Sequence, residues 1–156
     1  MTAIDIDIDA PALLRQLVDK YQAAWVDPDN INTWLSAQQG NQVLLFAGDA
    51  VRFPEGMDVA VVLPELQKAS AAAGKPFGMA VAVPDTAEDL AKRFGSNRWP
   101  TLMFFRTGQY VTTVCGMHDW TDYLVLVAQA LDAPISRAPT IGIPVVSSVA
   151  GGSHCH

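Results

Sequence analysis

Three short runs of continuous apolar residues, separated by helix-like stretches, constrain the fold of this chain more than any other feature. They are Val43–Phe46, Phe77–Val83 and Leu102–Phe105. Strands that are apolar on both faces are typical of a sheet covered by helices on both sides. Strands joined through helices pair in parallel. Tyr110–Cys115 follows the third run after only a short loop around Gly108, so it must pair antiparallel to that run. We therefore expect an α/β fold, a three-layer sandwich with a central mixed sheet flanked by helices.

Apolar residues at helical spacing predict five helices around these strands. The first has Asp9 near its N-cap and Pro11 in its first turn, and it precedes a short strand at Trp25-Val26. Thr86 is expected to cap the fourth helix, which Gly95 ends. The other three are predicted at about 31–38, at about 58–73 with Pro64 inside, and at about 119–131, and the stretch 47–57 is predicted to be a loop from its Gly and Pro content.

The ends of the chain differ from the middle in composition. Residues 1–9 form an acidic lead-in, 10–132 form the domain, and 133–156 form a flexible C-terminal tail, because that stretch has three prolines and a single charged residue, Arg137. The start has acids where a secretory signal would be cationic, and no apolar run approaches the roughly 18 residues that cross a bilayer. We therefore expect a cytoplasmic protein without membrane insertion.

The charge and the cysteine content exclude several classes of partner and cofactor. Sixteen acidic residues against ten basic ones give a net charge of −6, which disfavours nucleic acid and favours basic partners. Two cysteines, Cys115 and Cys155, cannot build a disulfide framework or a cysteine-rich zinc site. The consecutive His154, Cys155 and His156 cannot easily converge on one tetrahedral ion. We predict no metal and no cofactor.

The stretch from Trp99-Pro100-Thr101 through Gly108 resembles the part of thioredoxins in which a cis-proline precedes the fourth strand. Gly108 and Gly116 also lie at the expected distances, and Pro64 resembles the proline that kinks the second thioredoxin helix. The resemblance covers about residues 25–131. It implies a thioredoxin-like fold with one extra N-terminal helix. Thioredoxins, however, carry Cys-x-x-Cys after the central strand, and residues 46–55 here contain no cysteine, so dithiol exchange is excluded at that place.

The runs Ala-Lys-Arg-Phe-Gly at 91–95, Arg-Trp-Pro-Thr at 98–101 and Gly-Met-His-Asp-Trp at 116–120 are similar to the hydrogenase expression family of HyaE, HupG and HoxO type. Asp119 departs from this pattern, which has a proline after the histidine. The resemblance implies a non-enzymatic maturation chaperone for an uptake [NiFe] hydrogenase. Such a protein would bind the small-subunit precursor, including its twin-arginine signal peptide, before export, and would act with other hydrogenase maturation proteins.

By analogy with thioredoxin-like proteins, the backbone before the cis-proline pairs with an extended peptide. This predicts a peptide groove lined by Arg98, Trp99, Pro100 and Thr101, with Trp99 as the aromatic anchor. A cationic signal peptide also calls for an acidic surface nearby. Candidate acids are Asp49, Glu55, Asp58, Asp85, Glu88 and Asp89. Exposed ion pairs contribute about 0–1 kcal/mol each, so these acids would orient the peptide while apolar burial supplies most of the affinity.

Two alternative functions stay open at this point. One is a monothiol redox protein that uses Cys115, which a thiol titration would test. The other is a redox-inactive thioredoxin-like scaffold subunit, which would bind a mature hydrogenase rather than its precursor. Cys115 and His118 show Cys-x-x-His spacing, but a zinc site needs more ligands.

Overall fold

A computed structural model describes residues 8–138, which form a five-stranded mixed sheet. The strands are β1 Ala24–Val26, β2 Asn41–Phe46, β3 Phe77–Ala82, β4 Thr101–Arg106 and β5 Gln109–Cys115. Their spatial order is β1-β3-β2-β4-β5. Strands β1, β3 and β2 are parallel, β4 is antiparallel to β2, and β5 is antiparallel to β4. This confirms the predicted mixed sheet.

The strand register defines the two ends of the sheet. Phe46 pairs with Thr101, and Thr101 pairs with Cys115, at what we call the cleft end. Asn41 pairs with Arg106, and Arg106 pairs with Gln109, at what we call the hairpin end.

Helices cover both faces of the sheet. They are α1 Ala12–Tyr21, α2 Ile31–Ala37, α3 Glu55–Ala72, α4 Ala87–Arg93 and α5 Trp120–Asp132. Buried residues of α1, α3 and α5 pack with Leu45 and its neighbours on one face, and those of α2 and α4 pack with Leu44 on the other. Alternate residues of one strand thus enter separate cores, which explains why the central strands are apolar throughout. Among residues 8–138, no helix has the length and hydropathy needed to span a bilayer.

Two helix starts differ from the sequence prediction. Pro11 is the N-cap of α1 rather than part of its first turn, so Asp9 lies outside the cap. Helix α3 begins at Glu55, three residues before the predicted start, and the loop after β2 therefore covers only 47–54. Pro54 has φ −60°, a helical value. At Gly56 the helix comes so close to β2 that an added Cβ would lie 2.1 Å from the Ala47 carbonyl oxygen.

Thr86 does not cap α4 with its side chain as predicted. Its Oγ1 donates a hydrogen bond to the Val83 carbonyl at 3.5 Å instead. The reason is a single 3₁₀ turn, Pro84–Thr86, which links β3 to α4 and directs the Thr86 hydroxyl backwards. Glu88 and Asp89 do lie in the first turn of α4, where the helix dipole favours acids.

The hairpin end is held by a dense set of contacts. Thr107 and Gly108 have φ 49° and 77°, the left-handed pair that a two-residue hairpin turn requires. A Cβ on Gly108 would lie 2.6 Å from the Leu35 carbonyl oxygen of α2. The Arg106 guanidinium donates to Asn41 Oδ1 at 2.9 Å and to the carbonyls of Ala133 and Leu131 at 2.7 and 2.6 Å. One cation therefore joins β4, β2 and the end of α5.

The first residues of the predicted tail lie against β5. Ser136 donates its backbone N–H to the Tyr110 carbonyl at 2.9 Å and its hydroxyl to the Val111 carbonyl at 2.8 Å. Ala138 packs against the core on the α2 and α4 face. The remainder of the tail, 139–156 with His154, Cys155 and His156, and residues 1–7 of the acidic lead-in lie outside the described residues.

Candidate functional site

A cleft of about 450 Å³ opens at the cleft end of the sheet. It lies between the loop after β2, the turn before α4 and Trp99, which precedes β4. Apolar side chains and charged side chains share its walls. The lining residues are Leu14, Ala47, Gly48, Asp49, Arg52, Phe53, Ala82, Pro84, Asp85, Ala87, Glu88 and Trp99.

Asp49 holds the loop after β2 in a compact shape. Its Oδ1 accepts the backbone N–H groups of Val51 at 2.7 Å and Arg52 at 3.1 Å. Its carbonyl accepts the N–H of Phe53 at 2.7 Å. The two N–H groups, that of Arg52 first, lower the pKa of the Asp49 carboxyl because they bind its ionised form. The carboxylate thus stabilises the wall of the cleft.

Trp99 forms an aromatic part of the cleft wall. Its ring centroid lies 6.3 Å from that of Phe46 in the core and 6.4 Å from that of Phe53 in the loop. The Arg52 guanidinium in turn lies over the Phe53 ring, 5.2 Å from its centroid. Gly48 makes this packing possible: it has φ +81°, and a Cβ there would lie 2.9 Å from the Cβ of Trp99.

The backbone around Trp99 leaves polar groups open. The Trp99–Pro100 peptide bond is cis, as the resemblance to thioredoxins implies. The Pro100 carbonyl accepts the Gly116 N–H at 2.8 Å, and the Arg98 carbonyl accepts the Thr101 hydroxyl at 2.8 Å. Within residues 8–138, the N–H and C=O of Trp99 form no hydrogen bond. They are the main-chain groups that an extended peptide needs for pairing.

The structure places the four predicted groove residues differently. Trp99 lines the cleft and Arg98 is exposed beside it. The side chains of Pro100 and Thr101 are buried, Thr101 being only 1% exposed, and neither lines the cleft. The reason is that β4 begins at Thr101, whose side chain enters the sheet interior and bonds to Arg98.

The predicted acids fall into two groups. Asp49, Asp85 and Glu88 line the cleft. The other three stand outside its walls in the first turns of α3 and α4: Glu55, Asp58 and Asp89. The ion pairs within residues 8–138 are Lys68–Glu65 and Lys75–Asp132, so all six predicted acids lack an ion-pair partner there.

The cleft residues that sequence reasoning missed include Gly48, Arg52 and Phe53. The run Arg-Phe-Pro in an otherwise small-residue loop was the available signal, since an aromatic residue in such a loop needs a packing partner. Phe53 finds that partner in Trp99, about 46 positions later in the chain.

Cys115 and His118 are not among the residues that line the cleft, and Gly116 between them bonds to the Pro100 carbonyl. The half-buried Cys115 Sγ accepts a hydrogen bond from Thr101 Oγ1 at 3.3 Å. His118 Nε2 lies 2.8 Å from the Cys115 carbonyl oxygen. In the described range, no three His, Cys, Asp or Glu residues are grouped so that they could hold a metal ion.

The sequence is similar to a known family and to several of its members. Residues 13–123 match the family described as Hydrogenase-1 expression protein HyaE. The hydrogenase expression/formation protein HoxO of Cupriavidus necator is 51% identical over 146 residues, which cover 94% of this chain and 89% of that protein. HupG of Bradyrhizobium diazoefficiens, of the same description, is 38% identical over 104 residues, 67% of this chain and 68% of that protein.

A solved structure supports the fold independently. The crystal structure of thioredoxin f2 from Chlamydomonas reinhardtii superposes with a TM-score of 0.51, at 20% identity, over 72% of this chain and 98% of that one. At this identity the likeness concerns the fold alone, and it confirms the thioredoxin-like architecture.

Proposed function

Because the chain belongs to the HyaE family of hydrogenase expression proteins, we propose that it is a maturation chaperone that binds the small-subunit precursor of a [NiFe] hydrogenase. The bound segment is the twin-arginine signal peptide of that precursor, and the chaperone holds it in the cytoplasm before export. Other hydrogenase maturation proteins would act on the same precursor. The role requires a surface for an extended, cationic and apolar peptide.

The observation that carries the proposal is the open backbone of Trp99 beside an apolar cleft. Its N–H and C=O are free of intramolecular hydrogen bonds within residues 8–138 and can pair with one residue of an extended peptide. The rings of Trp99 and Phe53 stand next to these groups and can cover an apolar side chain of that peptide. Main-chain pairing does not depend on the sequence of the peptide, so apolar contact with Trp99 would supply the selectivity.

The charges of the cleft fit a cationic segment. Asp85 and Glu88 face the cleft and pair with no cation of the described residues. The Arg52 guanidinium also lines the cleft, where it lies over the Phe53 ring. The cleft therefore carries positive as well as negative charge. Exposed acids raise the rate and fix the orientation of association more than they raise affinity. We therefore assign steering to the acids and affinity to Trp99.

A catalytic alternative has less support. Residues 46–57 contain no cysteine, so the loop that carries paired thiols in thioredoxins has no nucleophile for a mixed disulfide. The monothiol hypothesis needs a free thiol at Cys115, but no cysteine of residues 8–138 is free, and the scaffold hypothesis makes no use of the open Trp99 backbone. A thiol titration and binding to mature hydrogenase remain the tests of these two.

Isothermal titration of the full chain with a synthetic small-subunit signal peptide tests the proposal. We expect binding at micromolar to tens of micromolar concentration in low salt. Trp99→Ala should weaken it at least tenfold, because an aromatic anchor typically contributes about 2 kcal/mol at a binding site.

Trp34→Ala is the matched control. Trp34 is also half-buried and packs edge-on against a phenylalanine, Phe105, with ring centroids 6.3 Å apart, but it lies on α2, outside the cleft. Both variants lose comparable packing, so a similar loss of stability is expected, and only Trp99→Ala should lose affinity. No binding by the folded wild type, or equal losses in both variants, would contradict the proposal.

A further inference from the structure

Three large apolar side chains are exposed in two segments at the cleft end of the sheet, the turn after β5 and the loop after β2. Two follow β5, Met117 and Trp120, which are 40% and 43% exposed. A third, Val51, lies at the tip of the loop after β2 and is 90% exposed. Large exposed apolar side chains grouped at one place mark contact surfaces more often than scattered ones do.

The turn that carries Met117 and Trp120 is firmly held, so their exposure does not come from a loose segment. The Gly116 N–H donates to the Pro100 carbonyl at 2.8 Å, and the Tyr123 hydroxyl donates to the Gly116 carbonyl at 2.8 Å. Burial raises the pKa of Tyr123 to about 12, so this donor keeps its proton at physiological pH. The His118 ring packs edge-on against Tyr123, with centroids 5.1 Å apart.

The surroundings of Trp120 carry negative charge. Asp119 is the N-cap of α5 and Asp122 lies in its first turn, and both are exposed. Neither pairs with a cation of residues 8–138. An apolar side chain between two unpaired carboxylates complements a segment in which apolar residues and cations are neighbours.

We propose that Met117 and Trp120 form a second apolar subsite, which receives the hydrophobic stretch of the same signal peptide whose other part lies in the cleft. This inference rests on the proposed function. It adds the place at which the part of the peptide beyond Trp99 binds. The bond between Pro100 and Gly116 places the subsite directly beside the open Trp99 backbone.

The distance between the acids of the cleft and the subsite fits a short extended segment of peptide. The acids Asp85 and Glu88 of the cleft follow β3, and the subsite follows β5, three strands from β3 in the sheet order. Three strand spacings amount to roughly 14 Å, which four to five extended residues span at about 3.3 Å each. The cationic start and the hydrophobic middle of one signal peptide can therefore occupy both places at once.

The test compares two peptides and four chains, the wild type and the variants Trp120→Ala, Trp120→Phe and Val125→Ala, by isothermal titration. One peptide is the full signal sequence, and the other is its cationic start without the hydrophobic stretch. Trp120→Ala should bind the full peptide about tenfold more weakly than the wild type and the short peptide equally well. Val125→Ala is the matched control, because Val125 is 55% exposed on the same helix and lies outside the turn; it should bind both peptides as the wild type does.

Each outcome separates the two claims. If the wild type binds neither peptide, the proposed function fails. If the wild type binds the full peptide and Trp120→Ala binds it equally well, the subsite is wrong while the function stands. An equal loss in Val125→Ala, or a loss for the short peptide in Trp120→Ala, also overturns the subsite. Trp120→Phe, which keeps an aromatic ring, should recover most of the affinity, and thermal melts of all variants check the fold.

Discussion

The two ends of the sheet use their polar and apolar groups in opposite ways. At the hairpin end, Arg106 satisfies three acceptors, and the turn packs onto the Leu35 carbonyl of α2. At the cleft end, Asp85 and Glu88 lack ion-pair partners in the described range, and the Trp99 backbone has open hydrogen-bonding groups there.

This difference separates a region that stabilises the fold, the hairpin end, from a region whose groups remain available to a partner, the cleft end. Unpaired charges and open main-chain groups add little to folding, but they are available to a partner. Substitutions at the hairpin end should therefore change the free energy of unfolding, and substitutions at the cleft end should change affinity. The following variants test this division, beginning with the largest expected effect.

Gly108→Ala should destabilise the fold by about 3 kcal/mol. The new Cβ would meet the Leu35 carbonyl oxygen at 2.6 Å, and the φ of 77° adds strain of about 1–2 kcal/mol. Gly40→Ala is the control, because Gly40 has φ 74° but nothing within 4 Å of an added Cβ, so it should cost only the strain. Urea unfolding measures both, and equal losses would show that the contact with Leu35 contributes nothing.

Gly48→Ala makes the same chemical change at the cleft end and should act on affinity. Its Cβ would lie 2.9 Å from the Cβ of Trp99, so the aromatic wall must move, and we expect peptide binding to weaken about fivefold, or about 1 kcal/mol. Gly74→Ala, with φ 83° and free space around it, controls for strain. If Gly48→Ala unfolds as much as Gly108→Ala and binds peptide normally, the division between the two ends is wrong.

Asp85→Asn and Glu88→Gln should each weaken binding about twofold at low ionic strength, close to 0.5 kcal/mol. The effect should vanish near 1 M salt, where the screening length is about 3 Å. Asp19→Asn removes an exposed acid of α1 outside the cleft and should have no effect. Titrations with the signal peptide at two salt concentrations test this prediction. A loss of affinity that does not depend on salt would mean that these side chains act through packing.

Substitution of Asp49 should have the smallest effect on stability, and that effect should be measurable only at acidic pH. Its pKa is lowered in the folded state by the N–H groups of Arg52 and Val51, so its stabilising effect is present above the ordinary value of 3.8 and is lost as the pH falls through the lowered pKa. Asp49→Asn keeps an acceptor oxygen and removes the charge. Its urea midpoint should vary less between pH 5 and pH 2.5 than that of the wild type, and an unchanged pH dependence would contradict this role.

The sequence predicted the strands and layers well because both are local patterns. Continuous apolar runs identify buried strands such as Val43–Phe46, and the glycine in the hairpin identifies the turn. The start of α3 was placed too late because Pro54-Glu55-Gly56 has the composition of a turn. Gly56 instead allows the helix to approach the Ala47 carbonyl, a tertiary contact that no local pattern reveals.

The site was predictable only in part. The resemblance identified Trp99, and the distribution of charge identified Asp85 and Glu88, all of which line the cleft. Arg52 and Phe53 were missed because the fold of the loop, set by Asp49, brings them beside Trp99. Thr101 was misplaced because the point at which β4 begins determines whether its side chain faces the cleft or the core.

Hydrogen exchange of the full chain with and without the signal peptide tests the docking of the peptide at the cleft end most directly. We predict slower exchange in peptides that contain residues 48–53 and 98–99, because bound backbone and excluded water protect those amides. The hairpin turn at Thr107 and Gly108 should exchange at the same rate in both samples. Protection confined to the hairpin end, with residues 48–53 and 98–99 unchanged under saturating peptide, would contradict the account.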